Sequence, residues 1–221
     1  MYKFSIPQRK SIRSKPSQSR SRSKRSKFVL GILIVVTIGS FIFLILPYLP
    51  RLRFLITRPK IDASPYQQAA IETKQGKKPE KPVPENLKGN RIILAPIGIN
   101  AQIIEGKNIY VIGKNQGAWR ETPNANPTKP SNIVLAGHRF LYTAANGGVF
   151  YNLPELKNGN KIYLKWDDKV YEYEIYNTRT VLPTQVDIRD PDPTVPNKLT
   201  LYTCYPLGST AKRFVVEAKQ L

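Results

Sequence analysis

Apolar and polar positions divide this chain into four stretches. Residues 1–27 are polar and of low complexity, with "RKSIRSKPSQSRSRSKRSK" at their centre. Residues 28–49, "FVLGILIVVTIGSFIFLILPYL", carry no charge and are almost wholly apolar. About 20 residues at 1.5 Å each cross a hydrocarbon layer of roughly 30 Å, so this run predicts one transmembrane helix. A cleaved signal peptide has a shorter apolar region, about 7–15 residues, and a small-residue cleavage site. This run ends in "PYLPRLRF" instead, which predicts an uncleaved signal anchor.

Residues 50–89 read as an extracytoplasmic linker. "KQGKKPEKPVPENLKGN" is rich in Lys, Glu and Pro and holds too little apolar surface to fold alone. "SPYQQAAIETKQ" within it could form a short helix. From residue 90 to 221 the pattern becomes short β-rich runs: "RIILAPIGINAQII", "SNIVLAGH", "KIYLKW", "KVYEYEIYNTRTVL", "KLTLYTC" and "RFVVEA". "YEYEIY" alternates with period two, as a half-buried strand does, and turn signals such as "NGN" and "WDD" separate the runs. The spacing predicts an all-β sandwich or barrel. "GVFYNLPEL" is the one short helix expected in this domain. The chain has neither a Gly-rich phosphate loop nor helices alternating with strands, which argues against a nucleotide-binding α/β fold. No internal repeat is visible.

The charge changes this picture little. The formal net charge is +20 over 221 residues, which invites a nucleic-acid reading. Yet residues 1–27 hold ten Lys or Arg and no acid, while from Arg91 onward sixteen Lys or Arg face eleven Asp or Glu, a net of +5. Most of the basicity therefore belongs to tail and linker, and no nucleic-acid partner is expected. Ten positive charges precede the apolar run; Arg51, Arg53, Arg58 and Lys60 follow it. The positive-inside rule places the N-terminus in the cytoplasm and the β-rich domain outside, on a single-pass anchor. The tail is also suited to anionic lipid head groups, at about 1 kcal/mol per basic residue near the surface.

The chain has one cysteine, Cys204, and one histidine, His138. One cysteine forms no intrachain disulfide, and nothing stands at ligand spacing to complete a four-ligand zinc site. Cys204 ends the strand-like run "KLTLYTC" and precedes Tyr-Pro; His138 ends "NIVLAGH", after Gly137. A thiol with a pKa near 8.5 needs a neighbouring base or cation to become a good nucleophile. Arg213 lies nine residues after Cys204. Pairing of "KLTLYTC" with "RFVVEA" through "YPLGSTAK" would return Arg213 beside Cys204, where a guanidinium could hold a developing oxyanion. Taken singly, each residue also suits an ordinary place: a buried thiol, a satisfied core histidine, a solvated arginine.

Taken together, the local strings carry more. "TLYTC" resembles the TLxTC signature of the sortases, the cysteine transpeptidases of bacterial cell surfaces. "VLAGHR" is similar to their histidine segment, "KRFVVEA" to their arginine strand, and "NRIILAPIGINAQIIEG" to their opening strands. The resemblance covers about residues 90–221 with order and spacing matched, and it implies an eight-stranded β-barrel with a few short helices. It also implies a thiol-dependent transpeptidase or peptidase, of the hydrolase class. Cys204 would attack the carbonyl of a C-terminal LPxTG-like sorting motif in a surface protein. His138 would serve as general acid and base, and Arg213 would position substrate and stabilise the oxyanion. An amine of the cell wall or of another protein would resolve the thioacyl-enzyme. Thr203, Leu182 and Pro183 would contact substrate, with residues 181–198 forming the loop that shapes the motif pocket. No cofactor is expected. Asp187, Asp190 and Asp192 in that loop could bind calcium, though they form no recognised calcium loop. "TCYP" resembles the housekeeping-like or class D/E-like branches. The chain ends eight residues after Arg213, without the second span of the pilin-polymerising branch. Two other functions fit the same strings: a membrane-tethered binding module with a degenerate site, and a hydrolytic cysteine peptidase.

Overall fold

The apolar stretch forms α1, a helix over Arg20–Ile45. Its segment Arg25–Ile45, 21 residues of mean hydropathy 2.9, is long and apolar enough to cross a membrane. Thr37 and Ser40 donate their hydroxyls to the carbonyls of Leu33 and Val36, at 2.7 and 2.8 Å, so these polar atoms are satisfied inside the helix. The helix was expected to run to Leu49. It passes instead into a 3-10 turn at Leu46–Tyr48, because Pro47 has no N–H to offer the carbonyl of Phe43. This is a computed structural model, and it describes residues 20–57, 61–79, 89–113, 117–139 and 149–221; most of the basic tail and residues 80–88 of the expected linker lie outside them.

The chain divides into a unit ending at Leu44 and a second beginning at Ile45, each described by itself. The second unit opens with α2 (Leu49–Thr57) and α3 (Ser64–Lys74). Eight strands follow: β1 (Arg91–Leu94), β2 (Ile99–Ile104), β3 (Ala118–Arg120), β4 (Ser131–Ala136), β5 (Lys161–Trp166), β6 (Lys169–Val181), β7 (Asn197–Tyr205) and β8 (Lys212–Gln220). They close a barrel in the order β1-β2-β3-β4-β7-β8-β6-β5. The β2/β3 and β4/β7 pairs are parallel and the others antiparallel.

The period of two seen in the sequence becomes the barrel's inside and outside. Ile92 and Leu94, Ile133 and Leu135, Ile162 and Leu164, Tyr173 and Ile175, Leu199 and Leu201, and Val216 and Ala218 form one core. The residues between them face out. The helix expected at "GVFYNLPEL" is a 3-10 turn over Leu153–Glu155. Its Phe150, Leu153 and Leu156 still enter the core.

The linker reading changes more. Helix α3 contributes Tyr66, Ala69 and Ala70, spaced i, i+3, i+4, to a buried cluster with Ile93, Ala95, Tyr163 and Val170 on the outside of β1, β5 and β6. The Tyr66 hydroxyl accepts from Asn100 Nδ2 at 3.1 Å, and the Val170 N–H donates to Thr73 Oγ1 at 3.2 Å. The Ile61 N–H reaches the Ala95 carbonyl at 3.3 Å. The packed domain therefore begins near Ile61, upstream of the boundary expected at residue 90.

Candidate functional site

Three neighbouring strands bring the sequence-predicted residues into one row. In the antiparallel β7/β8 pair, Cys204 stands opposite Arg213. In the parallel β4/β7 pair the last partners are Ala136 and Tyr202, and His138 follows two residues beyond the end of β4. On the far side Val181, the last residue of β6, stands opposite Arg213. Because Leu199, Leu201 and the buried Thr203 face inward, Cys204 faces outward with Thr200 and Tyr202. Cys204 and Arg213 thus share the outer face of the barrel, and the row ends at His138, just past β4, the strand beside β7. All three side chains are partly exposed.

The histidine end of the row is held from behind. Gly137 donates its N–H to the Tyr202 carbonyl at 3.2 Å and accepts from Thr203 Oγ1 at 2.8 Å. His138 accepts from the Phe150 N–H at 3.0 Å. A Cβ at position 137 would lie 2.5 Å from the Phe150 ring, which is why only glycine fits this close approach. Thr203 is placed differently from expectation. Successive strand residues face opposite sides, so it points away from Cys204, is fully buried and commits its hydroxyl to Gly137. It positions the histidine segment.

A second row of contacts backs the first, one residue along each strand. Arg139, next to His138, places its guanidinium 5.0 Å from the ring centre of Tyr205, next to Cys204. Tyr205 packs in turn on Phe214, next to Arg213, with ring centres 6.0 Å apart. Arg139 Nε donates to the Tyr151 carbonyl at 3.4 Å. A desolvated guanidinium over an aromatic face is worth up to about 2 kcal/mol. Arg213 is held by its own turn: Nη1 donates to the carbonyls of Thr210 and Lys212 at 2.9 and 3.0 Å.

Burial pushes the His138 imidazole below its ordinary value, which favours the neutral ring near pH 7. A neutral imidazole beside a thiol can take its proton, and the imidazolium so formed can return it.

The segment from Leu182 to Pro196 folds over the outer face beside this row. Asn132 of β4 donates to the carbonyls of Ile188 and Asp190, at 2.9 and 3.1 Å, and accepts from Thr200 Oγ1 at 2.9 Å. Ile188 packs with Val181, Val215 and Tyr202. Arg189 pairs with Glu121 at 2.8 Å, and Glu121 also accepts from the Tyr202 hydroxyl at 2.8 Å. Burial, then the Glu121 charge, pushes the Tyr202 phenol well above its ordinary value, so it stays a donor. Below the segment, Glu217 is buried and accepts from Lys198 at 2.7 Å, Asn177 at 2.7 Å and Arg179 at 3.2 Å. Burial alone would raise the Glu217 pKa, but these donors outweigh it and hold the carboxyl below its usual value. Leu182 and Pro183 are exposed at the start of the segment, next to Val181.

Two of the three acids considered for calcium have protein partners: Asp187 pairs with Arg179 at 3.3 Å, and Asp192 accepts from the Thr194 N–H and hydroxyl at 2.9 and 2.6 Å. Among the described residues no three His, Cys, Asp or Glu side chains gather as metal ligands would. Reading the sequence missed Arg139, Tyr205, Glu121 and Asn132. Arg139 and Tyr205 had a signal in their adjacency to His138 and Cys204; Glu121 and Asn132 had none.

The closed barrel thus carries Cys204 and Arg213 opposite each other on β7 and β8, with His138 just past the neighbouring β4. The sortase domain model matches residues 93–221, and the chain belongs to the sortase family. It is similar to sortase A of Listeria monocytogenes, 36% identical over 84 residues, covering 38% of this chain and 36% of that protein. Sortase A of Bacillus anthracis is 32% identical over 85 residues, 38% of each chain. The matched part thus spans little more than a third of these curated relatives. The crystal structure of L. monocytogenes sortase A superposes with a TM-score of 0.51 at 28% identity, covering 60% of this chain and 86% of that one.

Proposed function

We propose that this protein is a membrane-anchored cysteine transpeptidase. The observation that carries the reading is Cys204 opposite Arg213 on β7 and β8, with His138 just past the end of β4, the strand beside β7. In this reading Cys204 Sγ attacks the carbonyl carbon of the scissile peptide bond, and its proton passes to His138. The carbonyl oxygen becomes an oxyanion, which Arg213 stabilises. Collapse breaks the C–N bond, and the His138 proton goes to the leaving amine. A second amine then attacks the thioester, gives a proton to His138, forms a new amide and releases the thiol. Water in its place gives hydrolysis.

Family membership supports a substrate class of surface proteins with a C-terminal LPxTG-like motif, joined to an amine of the cell wall or of another protein. The exposed Leu182 and Pro183, beside Val181, are suited to contact the motif. The excess of positive charge before the apolar run at residue 28 supports a cytoplasmic N-terminus and a catalytic domain on the outer side.

The test is mass spectrometry of the full chain in detergent with a panel of sorting-motif peptides, with and without triglycine, beside Cys204→Ala. A thioacyl adduct on Cys204 that moves to triglycine is expected. A product formed only with water would make the protein a peptidase. No adduct with any peptide, in a protein whose Cys204 reacts with a small alkylating agent, would point to a binding module.

A further inference from the structure

The nine residues of α2 follow α1 after only the turn Leu46–Tyr48. Leu49, Leu52, Leu55 and Ile56 of α2 are 44, 51, 47 and 74% exposed, a large apolar exposure for so short a helix. At about 100° per residue these four positions fall within one arc of roughly 120°. Arg53 stands beside that arc and is exposed as well. Residues 51–60 hold Arg51, Arg53, Arg58 and Lys60 and no acid. The nine-residue helix is about 13 Å long, too short to cross a bilayer by itself. An apolar stripe bordered by arginine is the pattern of a helix that rests in the bilayer interface.

We propose that α2 is such an interfacial helix. Leu49, Leu52, Leu55 and Ile56 enter the acyl boundary, and Arg53 meets the phosphates of anionic lipid. The occupant of the stripe is lipid because the chain enters α2 directly from the apolar span and because the segment is uniformly positive. This rests on the reading of α1 as a membrane span. It changes how the catalytic domain is held. Ile61 is bonded to Ala95 of the barrel, so residues 58–60 alone separate α2 from the folded domain. Four residue steps reach at most about 14 Å. The barrel is then seated near the head groups, and substrate must present its motif close to the membrane surface.

The test uses the full chain with Cys204→Ala, in nanodiscs of one part phosphatidylglycerol to three parts phosphatidylcholine. A nitroxide is attached in turn through Val36→Cys, Leu52→Cys, Leu55→Cys and Thr57→Cys, and its collisions with oxygen and with a water-soluble nickel chelate are compared. The expected oxygen-to-nickel ratio is several-fold higher at 52 and 55 than at 57, and highest at 36. Equal nickel access at 52, 55 and 57 would overturn the proposal, as would shielding of 52 and 55 from both reagents, which means protein covers the stripe. Lipid contact at 36 with water at 52 and 55 would refute the interfacial helix alone. Water at 36 would refute the membrane span as well.

Discussion

Cys204 and Arg213 stand directly opposite each other on adjacent antiparallel strands, nine residues apart in the chain. Partners across such strands have Cβ atoms about 5 Å apart and share a face, so backbone pairing sets the Arg213 side chain on the same face as the thiol. Arg213→Ala should lower kcat/KM for a motif peptide by about 10²–10³-fold, the usual cost of losing an oxyanion donor. Arg213→Lys should recover only part, since an ammonium lacks the planar fork. Steady-state kinetics on both variants checks this; near-normal activity of Arg213→Ala would remove the arginine from the chemistry.

The contact between Arg139 and Tyr205 joins the residues that follow His138 and Cys204. Arg139→Ala should destabilise the domain by about 1–3 kcal/mol, through the lost ring contact and the lost bond to Tyr151. Tyr205→Phe keeps the aromatic face and should be near neutral, whereas Tyr205→Leu should lose the coupling to Arg139. A double-mutant cycle in urea, scored alongside kcat, separates this pairing from general loss of packing.

His138 links stability to pH with a definite sign. Its folded pKa lies below the ordinary 6.5, so the unfolded chain binds the proton more tightly. Above about pH 6.5 the ring is neutral in both states and contributes nothing. As pH falls through 6.5 toward the folded pKa, the native state loses stability. Urea unfolding of the wild type and His138→Gln should therefore differ in pH slope only below about 6.5, the variant being the less acid-sensitive. Parallel slopes would mean that burial does not bias the ring.

Glu121 joins Arg189 of the segment over the site to Tyr202 of its floor. Glu121→Gln removes the charge from that junction while keeping an acceptor for Tyr202. The segment around Val186–Arg189 should exchange its amide hydrogens faster, and KM should rise several-fold more than kcat falls. A change in kcat alone would place Glu121 in the chemistry instead of in the fastening of the segment.

The strand pattern and the strings around the three candidate residues were legible because their signals are local. Alternation over six residues marks a strand in "YEYEIY", and "TLYTC", "VLAGHR" and "KRFVVEA" each carry their information in a few consecutive positions. Even the pairing of Cys204 with Arg213 could be read from the short connection between their strands. The docking of α3 was not legible. Its buried face is one tyrosine and two alanines, too little apolar surface to stand out from a polar segment, and it is buried only because Ile93, Tyr163 and Val170 lie on the outside of the barrel.

What the sequence by itself determined is the order of elements, the apolar span and which side chains can do chemistry. These depend on spacing along the chain and on residue type. The tertiary structure decided the rest. It turned Thr203 away from the site, set Arg139 on Tyr205, and fastened the segment over the site through Glu121 and Asn132. Each of these depends on which strand lies beside which, and on which face meets another part of the chain. Such contacts join residues as much as 81 positions apart, as Tyr202 and Glu121 are, and no local pattern specifies them.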